Sequence, residues 1–201
     1  MDNGPTAVHV DEQITHARGV PVARSDTAEI AAFAIQPRDA LGDAPLEWTV
    51  IDRAAHAMEA RDWPAVIVPI SSASLAAPSF AYRVRDLAER HGLDPRRIWL
   101  EIDSPSAALA LRGVVGTLAA RHSVGCRIDG DHALDERALL PDLADAGVSF
   151  AWLEPGEGAT VADDLSALIG GRSLVRRART HGLAVIGAAE LGTDFTPPIG
   201  P

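Results

Sequence analysis

The chain has 201 residues, which suits one domain or at most two small ones, and its 47% apolar and 23% charged residues are enough to form a buried core. The formal net charge is −10, and a surface of this sign disfavours general binding to nucleic acid or to anionic membranes. No position is Lys, and Cys126 is the one cysteine. These compositional facts exclude a lysine base, an internal disulfide and a cysteine-based zinc site.

Neither the apolar runs nor the N-terminus indicates a membrane or export signal. No apolar run approaches the ~20 residues that a spanning helix requires, and the first residues lack the basic and apolar regions of a signal peptide. We therefore expect a cytoplasmic protein. Residues 1–18 are predicted to be a flexible tail, 19–192 the folded domain, and 193–201 a second tail, because FTPPIGP is unsuited to regular structure.

The elements that follow the N-terminal segment alternate in type. Two β-like runs, 20–22 and 30–35, come first, and a loop over 36–45 follows them. Apolar runs then alternate with helix patterns at the spacing of βαβ units, which is typical of a parallel sheet covered by helices. The predicted strands are 65–70, 97–102, 124–129, 148–153 and 183–187, and the predicted helices are 46–60, 78–91, 105–121, 133–146 and 161–181.

Two architectures fit this alternation, a closed β/α barrel and an open doubly wound sheet. No GxGxxG motif follows any predicted strand, which weakens the open-sheet interpretation. In both architectures ligands bind at the carboxyl ends of the parallel strands. The candidate site residues are therefore the polar side chains at those ends: Ser71, Ser72, Glu101, Asp103, Ser104, Asp129, Asp131, Glu154 and Glu190.

These strand-end residues have two interpretations. Converging carboxylates suit Mg²⁺ or Ca²⁺, or acid–base chemistry. Asp and Ser also cap the helices that follow strands, and capping is the favoured interpretation for Asp103, Ser104, Asp131 and Glu154. Glu101 and Asp129 lie within or at the end of apolar runs, where a cap is less natural, so they remain open as site residues.

At these strand ends the sequence resembles the EAL domain, a family of bacterial cyclic di-GMP phosphodiesterases. The resemblance runs from about Val20 to Leu191, most of the chain. Its most specific part is 66–104, with the strand, both helix ends and the LEI core; 118–134 resembles the motif "G..ialDDFGtGysSL", and 21–38, 146–155 and 175–191 resemble three further family blocks. The resemblance implies a TIM-like β/α barrel of EAL type. This one would be shortened, and because no closing strand is evident the sequence leaves open whether the barrel closes.

Family members bind two Mg²⁺ or Mn²⁺ ions that activate water for attack on a phosphodiester. The resemblance keeps two carboxylates, Glu101 and Asp129, at matched positions and places Glu154 where the family has Asp. Arg38 matches an arginine that contacts the ligand. The remaining matched positions have lost the family's functional side chains; these are Val20, Ala34, Pro69, Ser104, Gly130, Trp152 and Ala188, with Trp152 at the position of the catalytic Lys.

We therefore expect a catalytically inactive, EAL-like regulatory module with no catalytic residue and no cofactor. It would act through a protein partner or as a non-hydrolysing cyclic di-GMP receptor, with Arg38, Glu101 and Asp129 as candidate ligand-binding residues. Glu101, Asp129 and Glu154 are the weaker candidates for a metal site. The alternatives are an active Mg²⁺- or Mn²⁺-dependent phosphodiesterase that uses a displaced acidic set (Glu101, Asp103, Asp129, Asp131, Glu154), and an unrelated α/β domain.

Overall fold

A computed structural model describes residues 17–37, 44–61, 63–129, 137–154, 165–187 and 191–196. The strands of this described part are β1 (Ala17–Arg24), β2 (Ile30–Pro37), β3 (Val66–Ile70), β4 (Ile98–Ile102), β5 (Ser123–Asp129), β6 (Phe150–Glu154), β7 (Ala184–Ile186) and β8 (Phe195–Thr196). The α-helices there are α1 (Ala44–Arg61), α2 (Ser72–Leu75), α3 (Phe80–Arg90), α4 (Pro105–Ala110), α5 (Arg112–Ala119), α6 (Leu140–Asp145) and α7 (Leu165–Thr180), and 3₁₀ turns cover Pro95–Arg97 and Arg137–Leu139.

The strands close into a barrel in sequence order, from β1 through β8 and back to β1. Strands β2 to β8 run parallel, whereas β1 is antiparallel to both of its neighbours. The predicted α/β barrel is therefore confirmed, and the open sheet is wrong. Among the described residues, no helix has both the length and the apolar character needed to cross a membrane.

Alternation along each strand divides the apolar side chains between two cores. In β3, Val66, Val68 and Ile70 pack into the large core between the sheet and the helices, while Ile67 belongs to a smaller core inside the barrel. This is the period-2 pattern of strands buried on both faces. It decides which polar residues can meet inside the barrel.

The barrel interior is filled with aromatic rings rather than left open. Trp99 lies 5.6 Å from Phe150 and 5.9 Å from Phe195, measured between ring centroids. Gly125 is required beside them, since a Cβ atom at that position would overlap the Phe150 ring. Such packing is typical of β/α barrels, whose interiors are cores and not channels.

Two predicted helices differ from the structure: one is preceded by a short extra helix, and the other is interrupted. The predicted helix 78–91 corresponds to α3, preceded by the short α2, whose first turn is capped by Ser71 Oγ accepting from the Ser74 N–H at 3.2 Å. The predicted helix 105–121 breaks at Leu111 (φ −110°, ψ 26°) into α4 and α5. Gly113 and Gly116, which have weak helix propensity, follow the break.

The C-terminal prediction needs a larger correction. Phe195–Thr196, in the segment predicted to be a tail, form β8, which pairs with both β7 and β1. At the other end β1 begins at Ala17, two residues inside the predicted N-terminal tail. Residues 1–16 and 197–201 lie outside the described part.

Asp194 connects the elements that close the barrel. Its Oδ2 accepts the Val185 N–H of β7 at 2.8 Å, and its Oδ1 accepts Arg179 Nε and Nη2 of α7 at 3.0 and 2.8 Å. Its backbone carbonyl accepts the Ser25 N–H, directly after β1, at 3.0 Å. A two-residue strand is too short to close the sheet by ladder bonds alone, so these contacts account for the closure.

We predict that Asp194→Ala destabilises the protein by about 2 kcal/mol, since charge-assisted hydrogen bonds are each worth about 1.5–3 kcal/mol. Urea unfolding would measure the loss. Asp26→Ala is the matched control, because Asp26 makes only an exposed 3.8 Å pair with Arg24. Equal unfolding free energies for the two variants would contradict the assignment of barrel closure to Asp194.

His122 gives the fold a second testable property. The side chain is buried, and its Nδ1 must carry the proton because it donates to the Pro95 carbonyl at 2.9 Å. Burial lowers the pKa of His122, and hydrogen bonds to the backbone of Pro95 and Ile98 only partly oppose this. The folded protein therefore binds the His122 proton less readily than the unfolded chain does.

The contribution of His122 to the unfolding free energy should therefore be fully present above the ordinary histidine pKa of about 6.5. It should fall as the pH decreases below that value. His122→Asn, which retains a donor near the Nδ1 position, should remove this pH-dependent component. The measurement is the unfolding free energy between pH 5 and 8, with the exposed His181→Asn as control. An unchanged pH profile in His122→Asn would contradict the prediction.

Candidate functional site

The candidate site is the carboxyl end of the barrel interior, which we call the barrel mouth: Glu101, Arg127, Asp129, Trp152 and Glu154. Strand register brings these residues together. Asp129 pairs with Glu154 and Arg127 with Trp152 across β5 and β6, and Glu101 of β4 pairs with Gly125 of β5. The odd-numbered residues of β5 face the interior because Val124, Cys126 and Ile128 belong to the outer core.

An ion-pair network of three residues occupies the barrel mouth. Arg127 Nε donates to Glu101 Oε1 at 2.7 Å, and Arg127 Nη1 lies 3.0 Å from Glu154 Oε1. The Glu101 side chain is only 4% exposed, whereas those of Arg127 and Glu154 are 38% and 43% exposed. The guanidinium thus lies between a buried carboxylate and a half-exposed one.

Burial and mutual attraction shift the pKa values of Glu101 and Arg127. Removal from water raises the pKa of Glu101, and the positive charge and hydrogen bond of Arg127 oppose that rise. Burial also acts to lower the pKa of Arg127, but attraction to Glu101, Glu154 and Asp103 outweighs it, so the pKa is raised. Arg127 therefore stays charged and is the counter-charge on which ionised Glu101 depends.

The polar side chains at the neighbouring strand ends form hydrogen bonds at the starts of helices. Asp103 Oδ2 accepts the Ser72 N–H at 3.0 Å and the Ser72 hydroxyl at 3.2 Å, at the start of α2. Ser104 Oγ accepts the Ala107 N–H at 3.2 Å and caps α4. Helix capping is therefore confirmed for Ser104, and Asp103 satisfies the first turn of the neighbouring helix instead of its own.

Glu154 forms an ion pair with Arg127. The residues that follow it, 155–164, lie outside the described part, so its capping role stays a prediction. Asp129 is exposed at the end of β5. The other candidates Arg38, Asp131 and Glu190 lie outside the described residues. Of the predicted ligand and metal residues, the structure thus places Glu101, Asp129 and Glu154 at one end of the barrel.

The interior positions that the family resemblance matched to functional residues hold side chains without ligand atoms. Ala34 and Trp152 belong to the apolar core inside the barrel, and Trp152 is 7% exposed. Pro69 is buried in β3 beside Glu101 in register. These side chains offer no oxygen to a metal ion and no basic group at the position of the family's lysine.

The described residues therefore do not fit the two-metal centre that the family resemblance implies. Across the described part of the chain, no group of three or more His, Cys, Asp and Glu side chains is arranged to hold a metal ion. Glu101 and Glu154 direct an oxygen each at a guanidinium instead. A site for two hydrated divalent ions needs several oxygens around each, and the barrel mouth has an internal cation where they would converge.

Sequence reasoning missed Arg127, although a signal was present. A charged residue stands inside the apolar run VGCRID, and strict alternation places it on the same face as Asp129. The quoted family motif has a small apolar residue two positions before its first Asp, where this chain has Arg127.

Comparison with solved structures gives the fold independently. The chain matches the EAL domain of Mycobacterium smegmatis DcpA at a TM-score of 0.75 and 16% identity, covering 90% of this chain and 89% of that one. It matches the PaMucR phosphodiesterase in complex with c-di-GMP at a TM-score of 0.70 and 20% identity, covering 90% of this chain and 92% of that one. It matches the Xanthomonas citri FimX EAL domain in complex with c-di-GMP at a TM-score of 0.69 and 16% identity, covering 92% of this chain and 87% of that one. No family model and no curated protein matches the sequence. The chain has the fold of EAL domains.

The raised pKa of Glu101 predicts how the site affects stability. The folded protein retains the Glu101 proton at pH values where the unfolded chain has lost it, so this group's contribution falls as pH rises from about 4.5 through the raised pKa. The difference in unfolding free energy between wild type and Glu101→Gln should therefore decline over that range. In an Arg127→Met background the decline should extend to higher pH, because the opposing charge is gone.

Urea unfolding from pH 4 to 8 measures this difference, with Glu89→Gln on α3 as the baseline substitution. A difference that increases with pH would contradict the prediction, since it would mean that attraction to Arg127 outweighs burial at Glu101.

Proposed function

We propose, on the premise that the chain has the EAL-domain fold, that it is a cytoplasmic recognition module that does not hydrolyse cyclic di-GMP and acts through a protein partner. The observation that carries the proposal is the barrel mouth. The guanidinium that the described residues place there, that of Arg127, is bound to two carboxylates. Ala34, Pro69 and Trp152 line the same interior without ligand atoms. The buried thiol of Cys126 is compatible with a reducing compartment.

Phosphodiester hydrolysis needs an activated water and charge stabilisation at the phosphate. The described residues supply no group of side chains arranged to hold a metal ion. A lysine is absent as well, because the sequence contains none. Arg127 stands at the mouth, but both neighbouring carboxylates already engage it. Catalysis by the displaced acidic set would therefore have to break an ion pair with a buried member, which leaves a costly uncompensated charge.

Electrostatics at the mouth also favour a protein partner over the dinucleotide. Among the described residues, Glu101, Asp103, Asp129 and Glu154 bring four carboxylates to this end of the barrel, and Arg127 offsets one of them. Cyclic di-GMP carries two phosphate charges, so without bound cations this described set of side chains repels it. The neighbours solved with c-di-GMP show that the fold accommodates the ligand in those proteins.

We predict that the purified protein leaves cyclic di-GMP intact in Mg²⁺ or Mn²⁺ over hours, as followed by chromatography, while an active EAL phosphodiesterase linearises it in parallel. Calorimetric titration at micromolar ligand should give no binding heat. Linearisation that is abolished both by chelator and by Glu101→Gln would contradict the proposal and favour the displaced acidic set. Binding heat without turnover would contradict its protein-partner component in favour of a non-hydrolysing receptor.

A further inference from the structure

We infer that Arg127 is the resident cation of the barrel mouth, and that its guanidinium and a divalent metal ion exclude one another at Glu101 and Glu154. The inference deepens the proposed function and rests on it, since it names the group that replaces a metal at this site.

The first step concerns the buried carboxylate. Glu101 lies in the interior of the barrel with 4% of its side chain exposed, beside Pro69 and Gly125 in the register of β3, β4 and β5. Neither neighbour offers a side-chain hydrogen-bond donor. A carboxylate in this position needs a cation to remain ionised, and the Arg127 Nε at 2.7 Å supplies it.

The second step concerns the space between the carboxylates. Arg127 uses two different nitrogens, Nε toward Glu101 and Nη1 toward Glu154, so one planar group spans both residues. A metal ion shared by the same two carboxylates would approach each oxygen to roughly 2.0–2.6 Å. The guanidinium occupies the region where those approaches meet, so a shared ion requires its displacement.

The third step concerns what remains when the guanidinium is removed. Glu101 and Glu154 would then face one another across the mouth with no counter-charge from the described part of the chain, and Asp129 would lie in register beside Glu154. Two or three carboxylates with solvent access on one side form an incomplete oxygen cage of the kind that binds hydrated Mn²⁺ or Mg²⁺. The barrel mouth thus contains a latent cation site that Arg127 keeps closed.

Arg127→Ala tests this directly with Mn²⁺ as the probe. We expect calorimetry to show at least a tenfold gain in Mn²⁺ affinity over wild type, and Mn²⁺ to raise the melting temperature of the variant but not of the wild type. Arg127→Lys, which retains the charge, should show no gain. Arg85→Ala is the matched control, because Arg85 pairs with Glu89 at 3.7 Å on the exposed face of α3.

The double variant Glu101→Gln/Arg127→Ala should lose the gained affinity. Folded Arg127→Ala protein with wild-type Mn²⁺ affinity would overturn the inference, as would a wild type that binds Mn²⁺ as tightly as the variant. If Arg127→Ala does not fold in chelator, restored cooperative unfolding upon Mn²⁺ addition supports the inference, and failure of that rescue while the double variant folds overturns it.

These outcomes separate the inference from the proposed function. If Arg127→Ala gains no metal affinity and the wild type leaves cyclic di-GMP intact, only the resident-cation inference is contradicted. Hydrolysis by the wild type contradicts the proposed function, whatever the variant binds.

Discussion

The described structure depends on how the buried carboxylate of Glu101 is compensated inside the barrel. Eight strands bring their side chains into this interior, and most positions are filled by apolar or aromatic groups. A negative charge in such surroundings is tolerated only with a cation at hydrogen-bond distance. In this chain the cation is Arg127, part of the neighbouring strand. The ion pair therefore links the packing of the barrel to the chemistry that its mouth can and cannot support.

Most of the framework could be predicted from the sequence, because parallel strands buried on both faces give continuous apolar runs and the helices between them are amphipathic. The closing strand could not. Phe195–Thr196 is a two-residue strand before two prolines, and no local pattern distinguishes it from a tail. Its position depends on contacts distant in sequence: the Asp194 carboxylate with Arg179 and Val185, and the Phe195 ring with Trp99.

The candidate site could be predicted only in part. Strand ends converge in any parallel barrel, so placing Glu101, Asp129 and Glu154 at one edge followed from topology alone. The partner of Glu101 did not follow from topology, because it depends on the stagger between β4 and β5, which only the structure supplies. The family resemblance concerns positions such as Pro69 and Trp152, where this chain has side chains without metal-ligand atoms. The residue that distinguishes this barrel mouth, Arg127, stands at a position that the quoted motif fills with a small side chain.

The most direct test of this account is a crystal structure determined from crystals soaked in Mn²⁺, with anomalous scattering used to locate the ion. The account predicts Arg127 between Glu101 and Glu154 and no anomalous peak within coordination distance of either carboxylate. An anomalous peak bound by Glu101 and Asp129, with the Arg127 side chain turned away, would contradict it.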